Sequence, residues 1–293
     1  GMSDEAEALY RRALAIDPKH ANAHKNLGVL LAAARKYDEA LDQFREAAAL
    51  QPTDALAQNN VASALASQGR YEEAIPYFEK AVALKPDYAE AHYNLGNAYK
   101  ALGKIDDAVA QYREALRFKP HLAQAHCNLG RALQEQNRID EAIACYRRAL
   151  QHEPSLPEAL LNLGNLLREQ GNFNEAAALY QQLVSIAPRL PEAHNGIGLT
   201  LLEHGKRDAA EASFRTALSL RPHYADPYFN IGNIFLENGD LDQAMIHYGH
   251  ALTINPDFAQ AHNNLGNVFK QNNRLTEALA SYRHALDCQP HYP

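Results

Sequence analysis

The sequence predicts an all-α solenoid of stacked antiparallel helix pairs, and three observations carry that prediction. The stretch 89–122 recurs along nearly the whole chain every thirty-four residues, with proline marking the period at Pro18, Pro52, Pro86, Pro120, Pro154, Pro188, Pro222, Pro256 and Pro290. Such a period means one supersecondary unit stacked many times. Within the unit, Leu95, Gly96 and Tyr99, then Ala108, Tyr112 and Ala115, fall at spacings of three and four, which mark two amphipathic helices. Between them stands Gly103, where a chain leaving a helix turns left-handed. Glycine or asparagine returns there at Gly69, Asn137, Gly171, Gly205, Gly239 and Asn273, and only Arg35 departs from the rule.

Taken in order, residues 1–20 hold an expression scar, Gly1 and Met2, and the second helix of a truncated repeat, with Ala6, Tyr10 and Ala13 at its pattern positions. Eight complete units are expected at 21–54, 55–88, 89–122, 123–156, 157–190, 191–224, 225–258 and 259–292, as one continuous array. Each second helix is expected to open on an N-cap residue: Asp38, Asp106, Asp140, Asn174, Asp208, Asp242 or Thr276. Pro76, near the start of its helix, is expected to bend or loosen the first turn. Pro157 and Pro191 begin their units, where proline suits a helix entry. The sixth unit is the least regular, because Asn195-Gly196 puts glycine inside a helix at about 0.5 to 1 kcal/mol relative to alanine. Pro293 opens a further repeat, so the chain reads as an excerpt whose uncapped ends could self-associate.

Small residues recur where helices must touch: Gly28, Ala62, Gly96, Gly130, Gly164, Gly198, Gly232 and Gly266 on the first helix, and Ala40, Ala74, Ala108, Ala142, Ala176, Ala210, Ala244 and Ala278 on the second. Four residues after each of those alanines comes an aromatic, Phe44, Phe78, Tyr112, Tyr146, Tyr180, Phe214, Tyr248 or Tyr282, expected to fill the space between neighbouring helices. This pattern of leucine-glycine, aromatic, alanine, aromatic, alanine and proline resembles the tetratricopeptide repeat (TPR) family over almost the whole chain. The resemblance implies a right-handed TPR superhelix whose first helices line the concave surface.

The balance of 28 basic against 35 acidic residues, net charge -7, excludes a basic footprint for nucleic acid. No apolar run reaches the roughly 18 to 20 residues a membrane span needs, and no signal pattern opens the chain. Cys127, Cys145 and Cys288 have no metal-like spacing, which suits a reducing, cytoplasmic setting. No cofactor and no metal are expected. His24, His92, His126, His194 and His262 hold one repeat position, one per unit, and so suit packing better than ligation; His247 and His250, on one helix face, are a weak exception. With no phosphate loop, placed nucleophile or paired carboxylates, the chain is not expected to be an enzyme.

The candidate site is a row of asparagines. Asn26, Asn60, Asn94, Asn128, Asn162, Asn230 and Asn264 precede the leucine-glycine pair, interrupted only at Gly196, and Asn97, Asn165, Asn233 and Asn267 form a second row. Asparagine is a mediocre helix former, so the repetition asks for a cause. One cause is a ladder: an amide is both donor and acceptor and can pair with an extended peptide backbone whatever its side chains. The other is that the amides bridge neighbouring helices and stiffen the array. The NLGN wording at 94–97, 162–165 and 264–267, with NIGN at 230–233, resembles the repeat region of protein O-GlcNAc transferases, in which an asparagine ladder holds substrate polypeptide ahead of a separate glycosyltransferase domain. Glu135, Glu169, Glu203 and Glu237 form a further register, read either as an acidic stripe for basic ligands or as solvated helix ends offset by Lys100 and Arg168.

Overall fold

The computed structural model describes residues 2–289, of which 2–4 by backbone alone. Gly1 and residues 290–293 lie outside the described residues. Seventeen α-helices follow one another: α1 (Met2–Ile16), α2 (Ala21–Ala33), α3 (Tyr37–Leu50), α4 (Ala55–Ser67), α5 (Tyr71–Leu84), α6 (Ala89–Ala101), α7 (Ile105–Phe118), α8 (Ala123–Glu135), α9 (Ile139–His152), α10 (Pro157–Glu169), α11 (Phe173–Ile186), α12 (Pro191–Glu203), α13 (Arg207–Leu220), α14 (Ala225–Glu237), α15 (Leu241–Ile254), α16 (Ala259–Gln271) and α17 (Leu275–Cys288). The expected all-α array of helix pairs is therefore observed. It divides into two compact units, Gly1–Pro154 and Ser155–Pro293. The first holds α1 and the pairs α2/α3 to α8/α9, and the second holds α10/α11 to α16/α17.

Within each unit, even-numbered helices from α4 onward touch their even-numbered neighbours. In the first, α4 meets α6 and α6 meets α8; in the second, α10 meets α12, α12 meets α14 and α14 meets α16. Successive odd-numbered helices from α3 onward make no comparable contact. Inside each unit the even helices thus form the closer-packed, inner row.

The turn between the helices of a pair is left-handed wherever the sequence rule placed it: φ is +75° at Gly69, +71° at Gly103 and +59° at Asn137. Arg35, the expected exception, takes φ +60° all the same. The backbone path is set by the pair, and a side chain that disfavours it is strained rather than accommodated.

Two expectations need correction. The second helices begin before the residues read as N-caps: Asp106 is the second residue of α7, and the capping position is Lys104, whose side chain makes no capping bond. The apolar residue ahead of the aspartate, Ile105 here and Tyr37, Ile139 or Leu241 elsewhere, is already helical. The carboxylates lie in the first turn, where they face the positive end of the helix dipole. Asp240 is a true cap, accepting from the Gln243 amide at 3.1 Å. Nor does Pro76 loosen the first turn of its helix: the Ala74 amide donates to the Arg70 carbonyl at 3.0 Å and α5 runs α-helical from Tyr71 to Leu84 with the proline ring exposed.

The small residues of the first helices are spaces for rings, more than partners for alanines. A β-carbon on Gly96 would lie 2.7 Å from Tyr112 Cε1, and one on Gly198 2.4 Å from Phe214 Cε1. The rings fill that space completely: Phe78, Tyr112, Tyr146, Tyr180, Phe214 and Tyr248 are fully buried. Burying each contributes roughly 2 to 3 kcal/mol, which places the core along the seam between the two helices of every pair.

Candidate functional site

The two rows of asparagines do different work. Every member of the second row accepts a hydrogen bond from the tyrosine fifteen residues on, buried in three cases and half-buried at Tyr282: Tyr112 Oη donates to Asn97 Oδ1 at 2.8 Å, Tyr180 to Asn165 at 2.7 Å, Tyr248 to Asn233 at 2.7 Å and Tyr282 to Asn267 at 2.8 Å. A buried phenol needs such an acceptor, and burial pushes the hydroxyls of Tyr112, Tyr180 and Tyr248 above the usual phenol range. The NLGN wording thus has a packing cause: the glycine admits the ring, and the asparagine after it holds its hydroxyl.

The first row is mixed. Asn128 Nδ2 donates across the repeat boundary to Asn97 Oδ1 at 2.9 Å and to Tyr93 Oη at 3.1 Å, and Asn264 Nδ2 donates to Asn233 Oδ1 at 2.8 Å. Here the amides bridge neighbouring first helices. Asn26, Asn60, Asn94 and Asn162 make no such bond: Asn26 is exposed and the other three half-buried, with side chains unbonded among the described residues. Asn26, Asn60 and Asn94 share one register on α2, α4 and α6.

The break in the row is compensated. Asn195 is buried and accepts from Asn230 Nδ2 at 3.1 Å, in the place where Tyr93 receives Asn128. A β-carbon on Gly196 would stand 2.5 Å from Tyr180 Cε1, so the ring of the preceding repeat occupies the space an asparagine would need. Sequence reading located the interruption, but the one-residue exchange of roles between 195 and 196 needs contacts to be seen.

The recurring histidines fasten repeats together. His24, His92, His126, His194 and His262 each place Nε2 at 2.8–3.0 Å from the carbonyl of Pro18, Pro86, Pro120, Pro188 or Pro256. Gln58 does the same toward Pro52 at 3.2 Å. These are structural staples, as expected. His247 and His250 lie with ring centroids 6.5 Å apart, and among the described residues no group of three or more His, Cys, Asp and Glu is placed to hold a metal. In the acidic register Glu135 pairs with Lys100 at 3.0 Å and Glu237 with Arg207 at 2.8 Å, while Glu169 is 3.8 Å from Arg168. Those pairs offset much of the stripe's charge. No helix of the described residues is long and apolar enough to cross a membrane.

Beside Asn60 a small recess of about 240 Å³ is lined by Val29, Ala32, Tyr37, Phe44, Ser63 and Ala64. Val29 on α2 is 52% exposed and Tyr37, which opens α3, 38% exposed, so large apolar groups here meet solvent.

With pairs, turns and ring seams in place, the repeat class is defined. Tetratricopeptide repeat models match residues 1–55, 53–121, 127–191, 201–247 and 259–292, and a TPR repeat model matches 232–273. The chain belongs to the tetratricopeptide repeat family. A comparison with curated proteins finds no match. Among solved structures, the chain is similar to one in the Cut9–Hcn1 hetero-tetramer of APC/C at 17% identity and TM-score 0.65, covering 94% of this chain and 54% of that one. It thus spans about half the length of that relative. It is also similar to PilF of Pseudomonas aeruginosa (21% identity, TM-score 0.60, 70% and 93% covered) and to YrrB, described as a TPR protein with an unusual peptide-binding site (24%, 0.56, 63% and 95%). These likenesses establish the fold.

Proposed function

We propose that this chain is a protein-interaction scaffold which binds extended polypeptide on the inner helices of its repeats, with no catalysis of its own. One observation carries the reading. Asn26, Asn60 and Asn94 stand at one register on α2, α4 and α6 with side chains that none of the described residues engages. A free amide offers one acceptor and two donor hydrogens, the complement of a peptide group, and binds backbone without regard to sequence. Asn162 offers the same in the second unit, whereas Asn128 has given both of its amide hydrogens to neighbours and Asn230 and Asn264 have given one each. The recess at Val29 and Tyr37 supplies what the amides lack, a place for an apolar side chain of the ligand. The peptide-binding site described for YrrB is in keeping with this use of the fold.

The test uses an array of short unstructured peptides and the triple variant Asn26→Ala, Asn60→Ala, Asn94→Ala. Binding is expected to weaken by about tenfold or more, a loss of roughly 1.4 kcal/mol, with thermal unfolding unchanged. Unaltered affinity would overturn the reading. The alternative, a substrate arm of a glycosyltransferase, rests on the NLGN runs alone, and the tyrosine bonds already give those runs a cause.

A further inference from the structure

The outer side of the first unit holds a feature that peptide binding on the inner helices does not use. A cleft of about 620 Å³ opens between α7, α8 and α9, with Leu116, Leu129, Leu133 and Ala144 as its apolar floor. Three guanidinium groups line it, Arg113, Arg117 and Arg148, against one carboxylate, Glu141. That carboxylate is already held by the fork of Arg138, at 2.7 and 2.8 Å. Arg113 adds a longer contact to it at 3.2 Å, and Arg117 reaches Glu114 at 3.3 Å across the face of Phe118. Arg148 pairs with no carboxylate among the described residues. The cleft therefore carries a surplus of positive charge.

Its inner wall is His126, only 6% exposed, whose Nε2 sits 2.9 Å from the Pro120 carbonyl and whose Nδ1 has no partner. Among the staple histidines of the described residues, His126 is the one whose unpartnered Nδ1 is buried. The staple histidines of the first and third complete repeats satisfy Nδ1 with the glutamine nineteen residues on, His24 with Gln43 at 2.8 Å and His92 with Gln111 at 2.7 Å. In this repeat the residue nineteen on is Cys145, which lines the same cleft and whose shorter side chain makes no bond to the ring. A buried polar atom left without a partner marks a place where something else can bind. With Nε2–H given to Pro120, neutral His126 presents a lone pair and asks for a donor.

We infer that this cleft binds a phosphate group, free or as a phosphomonoester, whose anionic oxygens take hydrogen bonds from the arginines and whose P–OH donates to His126 Nδ1. Phosphate is the small anion that brings both an acceptor set for arginine and a hydroxyl donor near neutral pH. A carboxylate has no proton to give Nδ1, and sulfate has none at that pH. The apolar floor has room for an organic group esterified to the phosphate.

Isothermal titration of the whole chain near pH 6.5 with inorganic phosphate, phenyl phosphate, a phosphoserine peptide and sulfate tests this. Phosphate or a phosphomonoester is expected to bind and sulfate to bind more weakly. Preference for phenyl phosphate or the peptide over inorganic phosphate assigns the source as an ester. Cys145→Gln supplies the glutamine that the first and third repeats use, so it should lower phosphate affinity by about tenfold or more while the melting temperature holds or rises, and Arg148→Gln should lower affinity without touching the ring. Absence of binding at about 10 mM ligand, where a Kd of millimolar order would be seen, overturns the inference. So does binding that both variants leave unchanged, or equal binding of sulfate, which marks nonspecific attraction to arginine.

Discussion

Arg35 shows how far the repeat overrides its residues. It takes the left-handed conformation that glycine or asparagine occupies in the other turns, at a cost of about 1 kcal/mol. Arg35→Gly is expected to raise stability by about that amount, read as a later urea midpoint. The converse case is Gly96, where an added methyl would stand 2.7 Å from the Tyr112 ring. Gly96→Ala should destabilise by about 1 to 3 kcal/mol, because the ring fills the only space into which it could move. His126 makes a pH prediction. Burial, with smaller contributions from His152, Arg148 and His121, holds its ring below the ordinary value of 6.5. The unfolded chain therefore takes up that proton more readily than the folded one, so stability present above pH 6.5 falls as pH drops below it. His126→Gln, the residue that Gln58 already provides at this position, should flatten the low-pH side of the stability profile measured by denaturant titration.

At the scale of the helix pair, the seam between glycine and ring was legible in the sequence, because a small residue and an aromatic recurring at fixed offsets fit little besides a ring seated in a gap. The helix starts were not. Aspartate in the first turn looks the same in sequence whether it caps the helix or faces its dipole, and the difference rests on the φ and ψ of the residue before it. The asparagines were legible as a pattern and ambiguous as a function, since an amide facing a neighbour and an amide facing solvent are spelled alike. Their division can be measured. Asn97→Ala removes the acceptor of both Tyr112 and Asn128 and should cost about 1 to 3 kcal/mol, whereas Asn94→Ala, which breaks no bond, should cost under about 0.5 kcal/mol in the same denaturant experiment. Equal losses would mean that Asn94 is as structural as its neighbour.

For the molecule as a whole, packing between nearest neighbours makes stability a local property. Gly198→Ala, which sets a β-carbon 2.4 Å from Phe214, should speed amide hydrogen exchange in α12 and α13 and leave α2 to α7 unchanged. Uniform acceleration across the chain would show instead that the array unfolds as one cooperative block. Function at this scale was the least legible part. A solenoid's surface is decided by which side chains are left over after packing, and that subtraction needs the contacts: the cleft beside His126 exists because a cysteine stands where two other repeats have glutamine. The asymmetry of the two helix rows has a mechanical side as well. Inside each unit the inner helices touch and the outer ones stand apart, so a pull along the stack is met first by rotation of each pair about its inner edge, widening the outer gaps while every backbone hydrogen bond survives. Each unit is therefore expected to lengthen under load like a spring, and force extension should show reversible stretching below the force at which helices melt.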